Sequence, residues 1–306
     1  MTRREALVKV GQASLALLLR SPNRLLADSE AAETRMMTTT PKHIRHFTAN
    51  NPGYMTLQGT NQYVVGRGGV LVIDVALSAD SNLDGIIEEV EAIGGKKIDQ
   101  ILLTHVHSDH CAGALALKKR TGAKIGIHRS RAGHLGGEDF QYVDGDRISF
   151  GAGELLVLHT PGHESGHCCF YDSADQVLFS GDHILGYGTS VIRPPDGDMT
   201  EYLRSLERLL EFNISLILPG HGPLVGKPEA KIKEYIEHRL QRERQVLDAL
   251  RKGRETIGAV TEMIYVDVRG PLKNVAEFSV QAHLIKLMRE GKVKQEAGHY
   301  LLVQDN

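Results

Sequence analysis

Residues 42–225 of this 306-residue chain predict an α/β domain, and residues 226–306 predict a long helix leading into a small, mainly helical unit. Three observations carry that prediction. Short apolar or β-branched runs alternate with amphipathic helical patterns between residues 56 and 224, which is the pattern of an α/β fold. The chain is 41% hydrophobic, long enough to bury a sizeable core without being disordered, and no stretch approaches the roughly 20 apolar residues that cross a bilayer. After residue 228 the β-type runs give way to a sustained helical period.

The elements follow in order. Residues 70–74, 101–104, 155–159, 177–180 and 214–219 read as strands, because each is a nearly continuous apolar run bounded by turn residues. Residues 84–93, 112–120 and 199–212 read as the helices between them. Residues 229–252 form a connecting helix, apolar at Ile232, Ile236, Leu240, Leu247 and Leu250 and ended by Gly253. In residues 254–306 a helix carries Ile257, Val260 and Ile264 inward, a second lies near 271–278, and a third spans 279–290 up to Gly291. Strands at 293–295 and 300–303 turn at Ala297-Gly298, completing a winged-helix outline. Its third helix offers only Lys286 and Arg289 as cations, and residues 251–306 sum to a net charge of +2. That favours a packing or dimerisation module over a base-reading one, so no double-stranded DNA partner is expected, while a homodimer through residues 226–306 stays open.

Residues 1–41 stand apart as a targeting segment or an extension. Arg3-Arg4 and Lys9 precede a short apolar stretch and, apart from Glu5, no acidic residue appears before Asp28. The segment resembles a twin-arginine export signal without the usual Phe, and an organellar transit peptide is its rival. Compartment follows function here: export if the signal is real, cytoplasm or an organelle if the substrate is RNA.

Charge excludes little. With 36 Lys plus Arg against 38 Asp plus Glu there is no global pull toward polyanions. Three Cys, two of them adjacent at Cys168 and Cys169, cannot build a disulfide framework and read as buried small hydrophobes. Histidine is informative: 15 occur in a chain with no Trp, and several stand directly after predicted strands.

The strand at 101–104 runs into His105-Val106-His107-Ser108-Asp109-His110. Alternate residues of an extended segment point the same way, so His105 and His107 can face one ion while Asp109 and His110, rounding into a helix, face another. Two further strands end in a Pro-Gly turn and a histidine, Thr160-Pro161-Gly162-His163 and Pro219-Gly220-His221, and Ser180-Gly181-Asp182 closes a fourth. Asp74, after residues 70–73, reads as a supporting carboxylate behind the ligands. In open α/β folds such endings converge. Seven nitrogen and carboxylate donors without thiolate exceed one closed structural site, so two metals are expected: zinc, with manganese or iron as rivals.

His-x-His-x-Asp-His followed by Thr-Pro-Gly-His, Ser-Gly-Asp and Pro-Gly-His resembles the metallo-β-lactamase superfamily. The resemblance implies an αβ/βα sandwich in which His105, His107 and His163 hold a first metal, Asp109, His110 and His221 hold a second, and Asp182 bridges them. Asp182 stands where common class B lactamases carry Cys, which argues against antibiotic hydrolysis as the native task. Residues 51–61, from Asn51-Pro52-Gly53-Tyr54 to Gly59-Thr60-Asn61, together with Ser180-Gly181-Asp182-His183 and Leu218-Pro219-Gly220-His221-Gly222-Pro223, are similar to the β-lactamase-like protein 2 family. Members of that family act as endoribonucleases on single-stranded RNA, and a related fungal group acts as thioesterases on acyl carrier protein. Departures from the family pattern fall at Val106, at Val75-Ala76 after Asp74, at Glu164-Ser165 and at Arg193. None removes a ligand, but Val106, Glu164 and Arg193 are expected near the pocket and leave the substrate open.

The expected function is therefore a binuclear zinc hydrolase, with Asp109 and Asp182 as catalytic residues. By resemblance it cleaves single-stranded RNA; the alternative is an acyl thioester or ester substrate, which the neutral charge and possible export signal fit better. A non-catalytic winged-helix regulator is the remoter alternative, and the complete ligand set argues against it. His167 and His183 flank ligands, and Asn61, Tyr187 and Thr189 lie in loops that resemble the family's pocket edges, so these five join the candidate site.

Overall fold

The computed structural model describes residues 40–303 apart from Arg269. The targeting segment expected at 1–41 falls, but for its last two residues, outside the described residues. Two sheets stack face to face. The first runs in the order β1 (Ile44–Thr48), β2 (Asn61–Gly66), β3 (Val70–Ile73), β4 (Gln100–Leu102), β5 (Lys124–His128), β6 (Phe140–Tyr142). The second runs β11 (Leu216–Pro219), β10 (Val177–Gly181), β9 (Cys168–Asp172), β8 (Gly153–His159), β7 (Arg147–Phe150). Pairing is parallel from β3 to β6 and between β10 and β11, and antiparallel elsewhere within the two sheets.

Each sheet buries both faces, and this is why its central strands carry no polar alternation. Tyr63, Val65, Leu71 and Ile73 meet Phe170, Phe179, Val157 and Leu218 in the inter-sheet core. The opposite face of the first sheet, with Val64, Val72 and Ile101, takes Ile86 of α1 (Asp80–Ala92) and Leu117 of α3 (Ala114–Thr121), past the short α2 (Ser108–Cys111). The outer face of the second sheet, with Leu158, Cys169, Leu178 and Ile217, takes Tyr202 and Leu206 of α4 (Met199–Leu209) and Ile232 and Tyr235 of α5 (Pro228–Arg251). Helix, sheet, sheet and helix thus stack as an αβ/βα sandwich. At one end His43 and Arg67 pair with Asp172 and Asp175, an ion cluster that ties the first sheet to the β9–β10 turn.

The helix α5 belongs to two cores. Its first half packs on the second sheet, while Val246, Ala249 and Leu250 join Val260 of α6 (Ile257–Ile264), Leu284 and Leu287 of α7 (Pro271–Arg289), and the hairpin β12 (Val293–Glu296)–β13 (His299–Leu302). The two helices expected at 271–278 and 279–290 are one continuous helix, α7. The expected break at residue 279 is absent because Leu272, Ala276, Val280, Leu284 and Leu287 keep an unbroken helical period and are all buried. Tyr265 Oη lies 3.4 Å from Ser279 Oγ, so that hydroxyl serves a tertiary contact. Ala282 of α7 reaches the core of the second sheet, and Arg289 pairs with Asp198, the residue whose carboxylate caps α4. Among the described residues no helix is long and apolar enough to cross a membrane.

Candidate metal centre

The strand ends converge as their spacing predicts. His105, His107 and His163 bring ring nitrogens together, and so do Asp109, His110 and His221 on their donor atoms, with His105, His110 and Asp182 forming a third set between them. Asp182 spans the two triads: Oδ1 lies 3.3 Å from Nε2 of both His110 and His221, and Oδ2 lies 3.8 Å from His163 Nε2.

Outer hydrogen bonds fix which nitrogens face inward. His163 Nδ1 lies 2.7 Å from the Val191 carbonyl, which can only accept, so Nδ1 carries the proton and Nε2 presents a lone pair. Thr104 Oγ1 gives its hydrogen to Asp74 Oδ2 and can only accept from His105 Nδ1, 3.0 Å away, so His105 Nε2 also presents a lone pair. Both lone pairs point at His107 Nδ1, at 3.0 Å and 2.9 Å. One nitrogen can donate to only one of them, so three imidazole nitrogens crowd together in excess of the available protons. In the other triad His110 Nδ1 faces Asp74 Oδ2 at 2.7 Å and His221 Nδ1 faces the Gly59 carbonyl at 3.2 Å. Their Nε2 atoms lie 3.2 Å apart, and His221 Nε2 is 3.3 Å from Asp109 Oδ2. Such convergence of acceptors in a buried site is a cation-binding arrangement, and all seven donors are N or O.

The two triads differ in how they manage protons. Burial drives the His163 imidazole down to about 4, and burial with the neighbouring His110 drives His105 well below the usual range. Burial also acts against protonating His110 and His221, but there it is outweighed. Asp182 and Asp74 hold His110 well above its ordinary value, and Asp182 and Asp109 hold His221 at about 9. In return His221 and His110 overcome the burial of Asp182 and keep its carboxyl well below the usual carboxylate range. In the metal-free protein protons therefore stand in for a cation in the second triad only.

Backbone geometry makes room for this cluster. A Cβ added to Gly220 would fall 2.6 Å from Asp182 Oδ1 and 2.7 Å from His110 Cε1. Gly220→Ala is expected to weaken metal binding at the second triad at least about tenfold, the scale of disturbing a ligand's support; competition with a chromophoric chelator checks it. Gly162, at φ +131°, passes so close to Tyr202 that a Cβ would come within 2.3 Å of its Cα.

The remaining expected residues separate into supports and bystanders. Asp74 accepts from Thr104 N and Oγ1 and from His110, as a supporting carboxylate does. His167 is buried, accepts the Asp182 N–H at 3.2 Å and faces Thr160 Oγ1 at 2.9 Å, so it positions Asp182 from behind. Asn61 does not line the pocket: its side chain donates to the carbonyls of Pro219 and Gly222 and fixes the turn that presents His221. His183 packs its ring 4.7 Å from Tyr202, among the described residues neither of its nitrogens has a hydrogen-bond partner, and burial takes it down to about 3, so it is a neutral packing residue. Tyr187 is half exposed and lies outside the cavity, whereas Thr189 lines it. Of the three departures expected near the pocket only Arg193 lines it; Val106 is buried, and Glu164 is turned inward onto Arg131 and the N–H groups of Val106 and Gly166.

Sequence reasoning did not find the cavity itself. A space of about 530 Å³ is lined by His107, Asp109, His163 and Asp182 together with Leu272, Val275 and Ala276 of α7. Tyr54, Met55, Leu57 and Leu185 line it as well. The 272/275/276 spacing is that of any core-facing helix, so nothing local marked those residues as a pocket wall.

Residues 55–221 match the model of the metallo-beta-lactamase superfamily, and residues 256–299 match that of the beta-lactamase associated winged helix domain. The chain belongs to the metallo-β-lactamase superfamily of hydrolases. Within the superfamily it is 35% identical over 251 residues to a beta-lactamase-like protein 2 homolog of Caenorhabditis elegans, covering 80% of this chain and 84% of that protein. It is 33% identical over 268 residues to an atrochrysone carboxyl ACP thioesterase of Aspergillus chevalieri, covering 84% of each. A beta-lactamase domain protein from Burkholderia ambifaria shares the fold at 19% identity with a TM-score of 0.75, over 87% of this chain and 93% of that one. A superfamily protein from Thermus thermophilus does so at 20% identity and 0.72, over 87% and 100%. The superfamily assignment and the acceptor clusters agree on a metal-dependent hydrolase.

Proposed function

We propose that this protein is a binuclear zinc-dependent thioesterase, cleaving thioesters whose acyl part is largely apolar. The observation that carries the reading is the cavity, whose lining joins residues of the acceptor clusters to Leu57, Leu185, Leu272, Val275 and Ala276. Such a space desolvates an acyl chain, each methylene gaining about 0.8 kcal/mol on burial. A site for single-stranded RNA calls instead for an open cationic groove with stacking platforms. The fungal relative named as an ACP thioesterase supports the same reading.

His105, His107 and His163 would hold one zinc ion and Asp109, His110 and His221 the other, with Asp182 between them. When bound, the ions supply a nucleophilic water at neutral pH and neutralise charge developing on the cleaved acyl group. The chain's own residues do the rest. Asp109, partly open to the cavity and held ionised against its burial by His221, accepts a hydrogen bond from the attacking water and orients it. Val191 O and Thr104 hold His163 and His105 with their lone pairs inward, and α7 excludes bulk water from the acyl side.

The test assays zinc-loaded protein for thiol release from medium-chain acyl thioesters and, in parallel, for cleavage of end-labelled single-stranded RNA, each beside Asp182→Ala. Thiol release that the variant lacks, with RNA left intact, is the expected result. RNA cleavage that the variant lacks, without thiol release, overturns the thioester reading in favour of a ribonuclease.

A further inference from the structure

We infer that the guanidinium of Arg193 is an anion subsite of the cavity, selecting substrates that carry a negative group away from the scissile bond. The inference rests on the thioester reading above and extends it to the chemistry of the substrate's far end. Arg193 is exposed and lines the cavity from the loop between β10 and α4. Its guanidinium carbon sits 4.7 Å over the Phe278 ring of α7. Stacking uses the face of the guanidinium and leaves the in-plane N–H donors free. Among the described residues no carboxylate pairs with it, whereas the two other charges of this wall are occupied. Asp196 is held by Arg131, and Arg239 donates to the Ser190 carbonyl and lies 5.2 Å over Tyr202.

The cavity lining thus combines three chemistries: the acceptor clusters, apolar side chains, and a cation whose in-plane donors are unspent. A ligand complementary to all three is a thioester with an apolar body and an anionic terminus. Two sources supply that anion: a carboxylate on the acyl tail, or a phosphate on the thiol being released. Either makes the same charge-assisted, planar contact with a guanidinium.

The experiment compares selectivity ratios. Zinc-loaded full-length protein is assayed on N-acetylcysteamine thioesters of matched length ending in carboxylate or methyl, and on one methyl-ended acyl group carried by N-acetylcysteamine or by coenzyme A. Wild type is expected to favour the anionic member of one pair in kcat/KM by about tenfold or more, the scale of one charge-assisted contact. Arg193→Met is expected to bring that ratio near unity, and Arg193→Glu to favour a trimethylammonium-ended acyl chain. Collapse of the first ratio places the anion on the acyl tail, and collapse of the second places it on the thiol. If Arg193 served only to anchor α7 through Phe278, both members of each pair would fall together, and unchanged ratios overturn the inference. Should wild type hydrolyse no thioester, the thioester reading fails by itself. Calorimetric titration of metal-free protein with a medium-chain dicarboxylate, its monocarboxylate and inorganic phosphate then decides the subsite. Anion binding lost in Arg193→Met supports it, and identical binding by the two proteins overturns it.

Discussion

Asp182→Ala is expected to lower kcat/KM by about three orders of magnitude, roughly 4 kcal/mol of transition-state stabilisation, and to reduce bound metal from two ions per chain to one or fewer. Asp182 is the carboxylate that reaches both triads, touching His110 and His221 through Oδ1 and His163 through Oδ2. Asp109 approaches only His110 and His221, so Asp109→Ala is expected to cost less and to spare the first triad. The loss need not come from unfolding. Without Asp182, His110 and His221 lose their principal anion and revert toward the neutral form that their burial favours, so no buried imidazolium is stranded above neutral pH. Activity on a thioester, elemental analysis and a thermal midpoint at pH 8 measured on the same preparation separate these effects. A variant that keeps two ions and wild-type kcat/KM would remove Asp182 from the mechanism.

What the sequence disclosed follows the length of the apolar run more than burial itself. The strands β3, β4, β8, β10 and β11 are covered on both sides, which gives the uninterrupted apolar runs that mark them. Six strands escaped notice: β1 buries little beyond Ile44, β6 has three residues and β7 alternates Arg147 and Ser149 outward, while β2, β5 and β9 are largely buried but have their apolar runs shortened by Asn61-Gln62, by Lys124 and Gly126, and by Asp172. The candidate cluster was legible because His163, Asp182 and His221 follow strands or their Pro-Gly turns, and His105, His107, Asp109 and His110 lie on the one segment that leads from β4 into α2. Its supports were less so. Asp74 stands at a strand end and could be read, whereas Thr104 and the Val191 carbonyl act through a hydroxyl and a main-chain atom that any residue pattern accommodates. The α7 wall was hidden because Leu272, Val275 and Ala276, which line the cavity, share the helical period of Val280, Leu284 and Leu287, which pack into the C-terminal core.

Metal uptake is expected to depend on pH at one triad and hardly at the other. At pH 7 His105 and His163 are already neutral, so an ion reaching them displaces no proton from either. His110 and His221 are protonated at that pH in the metal-free protein, and an ion entering between them and Asp109 must release about two protons. Each released proton makes apparent affinity change about tenfold per pH unit, so the second ion is expected to bind about 100-fold tighter at pH 8 than at pH 7, levelling off above the His221 value of about 9. The same protons act on folding in the opposite sense. A raised histidine stabilises the metal-free fold fully below its unfolded value near 6.5, and that contribution disappears as pH rises through about 9. Metal-free protein should therefore lose thermal stability between pH 7 and 9 while zinc-loaded protein does not, because bound metal replaces the protons. Calorimetric zinc titration in two buffers of different ionisation enthalpy reads the proton count for each ion. Equal proton release from both triads would contradict the asymmetry that Asp182, Asp74 and Asp109 impose on His110 and His221.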